Sequence, residues 1–100
     1  MTTSQQYALH WALKTRQEWI DKGWTVEQAD ARAITDCTSL LFREYYCSLV
    51  CEHEMADPGS DEEAQLEAIL DTGYAQVQRE VAQLWAQHWQ IEHLNNCWQL

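Results

Sequence analysis

One hundred residues make a single domain, 1–100, long enough to bury a core without staples and short enough for self-association to add useful stability. With 46% of residues hydrophobic, one proline (Pro58) and three glycines (Gly23, Gly59, Gly73), few turns are available. The expectation is therefore all-α: a small bundle of three to four helices with one long C-terminal helix. A formal charge of −10 repels nucleic acid and anionic membrane, which excludes a direct DNA or RNA binder and favours a protein with a basic surface as partner.

The first twenty residues lack a basic start followed by an unbroken apolar run, since Lys14, Arg16 and Glu18 interrupt it, and no stretch is apolar for long enough to span a bilayer. A cytoplasmic location is expected. In that setting Cys37, Cys47, Cys51 and Cys97 read as reduced thiols buried as small hydrophobes.

Helix 1 is expected from about Ser4 to Lys22, capped at its start by Thr3 or Ser4 and at its end by Gly23. Its apolar residues, Tyr7, Ala8, Leu9, Trp11, Ala12, Leu13, Trp19 and Ile20, cover more than half the circumference. So broad an arc implies two neighbours, or one neighbour and a second chain, the second case being a homodimer.

Thr25-Val-Glu-Gln28 has the form of a capping box and opens helix 2, with Trp24 and Ala29 placed as its hydrophobic staple. Helix formers thin out over Thr35–Ser39, where a break is one outcome. Beyond it Leu40, Leu41, Phe42, Tyr45, Tyr46, Leu49, Val50 and Cys51 point almost all round the axis and predict a central, buried helix. Asp57-Pro58-Gly59-Ser60-Asp61 is the clearest turn, and Ser60-Asp-Glu-Glu63 is a second capping box, with acids where the helix dipole favours them. From there Leu66, Leu70, Gly73, Val77, Leu84, His88 and Ile91 keep one phase, giving one long helix or two pieces hinged at Thr72-Gly73.

The charge is placed unevenly. No Lys or Arg occurs between Arg43 and Arg79, and residues 44–78 hold nine acids, while the rest of the chain sets seven acids against six bases. Glu63, Glu67 and Asp71 repeat one sign at i, i+4, which costs an isolated helix a little stability. As a solvated face they need no function. Carboxylates about 6 Å apart along an axis, however, match the scale of neighbouring phosphates on one strand, so the ridge can occupy a basic groove built for DNA or RNA. On the same helix Trp85 and Trp89 are turned by about 100° and 140° from the Leu66–Ile91 stripe, into the sector of Glu67 and Asp71. The candidate partner-binding residues are therefore Glu63, Glu67 and Asp71 for steering and Trp85 and Trp89 as aromatic anchors, unless helix 1 covers the tryptophans.

Cys47 with Cys51 and His93 with Cys97 are i, i+4 pairs that together hold the donors of a Cys3His zinc site. In a hairpin turning at Pro58, though, Cys51 faces roughly residue 65, and residue 97 lies about 48 Å further along a continuous helix. No metal and no cofactor are expected. His88 on the apolar stripe and His10 on the polar face lack a nucleophile nearby, and the chain has no Gly-rich phosphate loop, His-Glu-x-x-His, Gly-x-Ser-x-Gly or Glu-x-x-His pattern. It reads as a non-enzyme.

In size, charge and helical character the chain resembles the short acidic proteins that phages encode against bacterial defence, anti-CRISPR proteins and DNA mimics among them. The likeness covers no aligned residues and assigns no sites. It implies an inhibitor that occupies the basic nucleic-acid-binding surface of a partner. The alternatives from other classes are an assembly module forming a helical homo-oligomer, and a Cys/His metal-binding protein.

Overall fold

The structure, a computed structural model of one chain, describes the backbone of residues 1–98 and the side chains of residues 1–93. It is all-helical, with α1 over Thr3–Asp21, α2 over Val26–Met55 and α3 over Asp61–Trp98. Among the described residues no helix is long and apolar enough to cross a membrane.

Helix α1 starts one residue before the expected cap. Thr2 is the N-cap: its hydroxyl accepts from the Gln5 N–H at 3.2 Å, while the Gln5 side chain accepts from the Thr2 N–H at 2.9 Å. This reciprocal pair satisfies two donors that Thr3 or Ser4 would have left to solvent. At the other end Gly23 takes φ +100°, its N–H donating to the Ile20 carbonyl and that of Trp24 to the Trp19 carbonyl, each at 3.0 Å. That is the Schellman pattern, and the accompanying apolar contact is Trp24 stacked on Trp19 with ring centroids 4.1 Å apart. The chain reverses there, and Thr25 with Gln28 forms the expected capping box of α2.

Helix α2 does not break at Thr35–Ser39. Thr35 and Thr38 donate their hydroxyls to the carbonyls of Ala31 and Ile34, which removes their competition with the helix ladder, and Cys37 and Thr38 are buried. The irregularity falls later, at Tyr46 (φ −121°, ψ 18°). Nor does α3 hinge at Gly73: the helix runs through it, because the glycine is held against the Tyr46 ring.

The pairings fix direction. Ser4 meets Glu44 and Arg16 meets Asp30, so α1 and α2 are antiparallel; Phe42 meets Tyr74 while His53, later in α2, shares a groove with Glu67, earlier in α3, so α2 and α3 are antiparallel as well. Ala8, Ala12 and Ala33 with Cys37 make a seam of small residues that lets the helices approach closely. The space left between them is filled by Leu9, Leu41, Val77, Val81, Leu84 and Trp85. Leu41 and Val81 are each 1% exposed, a burial worth about 2 kcal/mol apiece.

The helices differ in length, and that difference sets the shape. At 19 residues α1 is about 28 Å long, whereas α2 with 30 residues is about 45 Å. Because α1 begins level with Glu44, the rest of α2 has only α3 beside it. The molecule is a three-helix head from which a two-helix arm projects, 60 × 29 × 18 Å across its principal axes. The second half of α2 is accordingly not buried all round: Tyr45 is exposed, as are Cys47 and Cys51, and Leu49 and Val50 are half-buried. The expectation of buried thiols is corrected for Cys47 and Cys51 and holds for Cys37; the side chain of Cys97 lies outside the described residues.

Candidate functional site

The arm collects the charge. Of the nine acids between residues 44 and 78, Glu44 sits at the root beside Ser4, and the other eight, Glu52 to Asp71, lie on the uncovered helices and the turn that joins them, with no Lys or Arg among them. Glu67 and Asp71 are exposed, one turn apart on α3. They edge a shallow groove whose floor is Phe42, Val50, Leu70 and Tyr74, with His53 across it from α2. The Nε2 atom of His53 is buried there without a hydrogen-bond partner.

Glu63 behaves differently from its two neighbours in the series. It is half-buried at the start of α3, its N–H donating to the Ser60 hydroxyl at 3.2 Å and its carboxylate accepting from the Gly59 N–H at 3.3 Å. The capping box anticipated from the sequence is thus shifted by one residue on its return bond, and one oxygen of Glu63 is engaged in holding the turn.

Trp85 is not on the surface, and its assignment as an exposed anchor is corrected. At 9% exposure it belongs to the core with Ala8, Leu9 and Ala12, since the small residues of α1 let that helix close over it. Trp89, one turn on, stands at the edge of the head and is 36% exposed, meeting Trp85 edge to face at 5.9 Å. The Arg16 guanidinium lies over its ring at 4.6 Å and bonds Asp30 with its Nε. Asp71 and Trp89 are 18 residues apart, about 27 Å along one helix, so the acids and the remaining aromatic are two separate patches rather than one flank.

A second feature escaped the sequence reading. On the outer side of the head, Tyr7, Trp11 and Thr15 of α1 and Asp36, Ser39, Leu40 and Arg43 of α2 line an open groove of about 320 Å³. Tyr7 is 58% and Trp11 41% exposed, their rings edge to face at 6.3 Å, and Lys14 lies over the Trp11 ring at 4.9 Å. The wide apolar arc of helix 1 was the available signal, since Ala8, Leu9 and Ala12 satisfy the core and leave Tyr7 and Trp11 over.

Three titrating groups are displaced. Burial first, and then the Glu80 carboxylate, pushes the Cys37 thiol up to about 11. Burial and then the hydrogen bond to Glu80, 3.0 Å from the phenol, raise Tyr45. Cys51 is raised chiefly by the charge of Cys47, one turn before it. Glu80 also accepts from the Gln5 side chain, so this carboxylate joins all three helices at the root of the arm. Among the described residues no group of three or more His, Cys, Asp or Glu side chains is arranged to hold a metal ion.

No protein-family model, no curated protein and no solved structure matches the chain.

Proposed function

We propose that the protein is a non-enzymatic binding module that inhibits a partner by placing its acidic arm in a basic, nucleic-acid-binding groove, in the manner of phage anti-defence proteins and DNA mimics. The observation that carries this reading is the confinement of eight uncompensated acids to a two-helix arm that α1 leaves bare. An arm of two helices side by side is about 20 Å wide and about 10 Å thick with its side chains, slender enough to enter a groove. Its carboxylates replace phosphates, and its charge speeds encounter with a basic surface. Glu67 and Asp71 supply the exposed ridge, and Trp89 is the aromatic anchor that remains at the surface.

The test is affinity capture from a lysate of the organism that encodes the chain, run beside a variant with Glu63, Glu67 and Asp71 all changed to Gln. The partner sought is captured by the wild type, lost or weakened with the variant, and displaced by short duplex DNA. A partner held equally by both proteins and indifferent to duplex DNA would remove this reading. An assembly module is the second reading, favoured by the exposed Tyr7 and Trp11 on α1.

A further inference from the structure

We propose that the aromatic groove on the head is a docking site for the arm tip of a second copy of this chain, so that the protein associates head to tail. The inference needs no foreign partner and stands whether or not the arm also blocks a basic groove elsewhere.

The two surfaces match in chemistry. The groove has Tyr7 and Trp11 on its floor and Arg43 at its rim, with Lys14 over the Trp11 ring, while the one carboxylate that lines it, Asp36, is paired with Arg32. The ion pairs formed among the described residues are Arg16–Asp30 and Arg32–Asp36, so Lys14 and Arg43 face outward with no carboxylate attached. The arm tip has the reverse pattern. Met55 is 86% exposed at the end of α2, and around it stand Glu52, Glu54 and Asp57, all exposed. A thioether knob flanked by acids fits an aromatic floor flanked by the unpaired Lys14 and Arg43, because sulfur packs favourably at ring edges and the opposite charges fix the register.

Geometry makes the contact intermolecular. Leu40 in the groove and Met55 at the tip lie on one helix about 22 Å apart, so the tip of a chain cannot reach its own groove. Knob and groove are different surfaces, which makes the contact heterologous: each copy offers a free groove at one end of the chain of copies and a free tip at the other. The net charge of −10 does not prevent approach. At physiological salt, charges further apart than about 8 Å are screened, and the local pairs decide the sign.

Sedimentation of the purified protein over a wide concentration range tests the arrangement, with circular dichroism confirming that each variant is folded. Wild type is expected to gain mass continuously past the dimer, and to do so at least about tenfold less readily when salt rises from about 0.1 M to about 1 M, as the screening length falls from about 10 Å to about 3 Å. Arg43→Glu, which spoils only the groove, and Met55→Lys, which spoils only the tip, should each stay monomeric alone. Mixed in equal amounts they should give a one-to-one heterodimer and nothing larger, because one supplies the intact tip and the other the intact groove. A wild type that is monomeric throughout, a dimer that survives Met55→Lys, or a mixture that fails to pair would each overturn the proposal. The second of these outcomes would instead assign a symmetric contact through α1.

Discussion

The Tyr46 ring rests on the α3 backbone at Gly73, where an added Cβ would stand 2.6 Å from Tyr46 Cζ. Tyr46 is also the residue at which α2 departs from helical geometry, and its ring stacks on Phe42 at 5.2 Å. The kink and the glycine are thus two halves of one contact, placed near the level where α1 starts and the arm begins.

Gly73→Ala accordingly has opposing effects. Alanine gains about 1 kcal/mol of helix propensity, while overpacking against a ring that is itself stacked costs about 1–3 kcal/mol. The expected net change is a loss of up to about 2 kcal/mol in urea unfolding. In a Tyr46→Ala background the obstruction is gone, and Gly73→Ala should become stabilising. A double-mutant cycle with no coupling between the two positions would show that the ring does not lie on Gly73.

That contact also shows where the sequence was legible and where it was not. The three helices, the Gly23 and Pro58 turns and the capping box at Thr25 follow from local chemistry, which a single sequence carries in adjacent residues. The kink at Tyr46 does not, because it depends on which residue of α3 lies opposite. The same holds for the site. The excess of uncompensated acids in residues 44–78 can be counted, but the bareness of the arm depends on α1 beginning level with Glu44. Trp85 and Trp89 differ by one helical turn and are equivalent in the sequence pattern; only the alanine seam of α1 makes one of them core and the other rim.

Cys37 should make stability depend on pH in the alkaline range. Its thiol is raised from 9.0 to about 11 in the folded protein, so the folded state holds a proton that the unfolded state has released. Stability from this source is fully present below pH 9.0 and is lost as pH climbs through about 11; Tyr45, also raised, acts in the same direction. Urea midpoints should be flat near neutrality and fall across that window. Under native conditions at neutral pH, alkylation followed by mass spectrometry should modify Cys47 and Cys51 while sparing Cys37 until the chain is unfolded. Equal rates at all three would contradict the buried position of Cys37.

His53→Leu is expected to stabilise the protein. The buried Nε2 has no partner, and an unsatisfied buried polar atom costs about 1–3 kcal/mol, while leucine keeps much of the volume beside Val50 and Leu70. A gain of about 1 kcal/mol in unfolding free energy is the expected size. A loss of that magnitude instead would mean that the imidazole is bonded, Glu67 and Asp71 being the carboxylates that line the same groove.

The acids and the tryptophans should separate cleanly under substitution. Changing Glu63, Glu67 and Asp71 together to Gln should leave folding intact or slightly improved, because like-sign i, i+4 repulsion disappears and the amide oxygen introduced by Glu63→Gln can still accept from the Gly59 N–H. Trp85→Ala removes a core side chain and should cost about 3–5 kcal/mol, enough to leave a domain of this size marginal. Trp89→Ala removes a rim side chain and its stack with Arg16, a loss of about 1–2 kcal/mol. Binding should follow a different order. Against a captured partner, the triple Gln variant should associate more slowly and with a flatter salt dependence, since rim charges set encounter rates, whereas Trp89→Ala should chiefly speed dissociation. If Trp89→Ala proves as damaging to folding as Trp85→Ala, the rim placement of Trp89 is wrong. If the triple Gln variant matches wild type in both association rate and salt slope, the acidic arm does not steer the encounter, and the assembly reading through Tyr7 and Trp11 takes precedence.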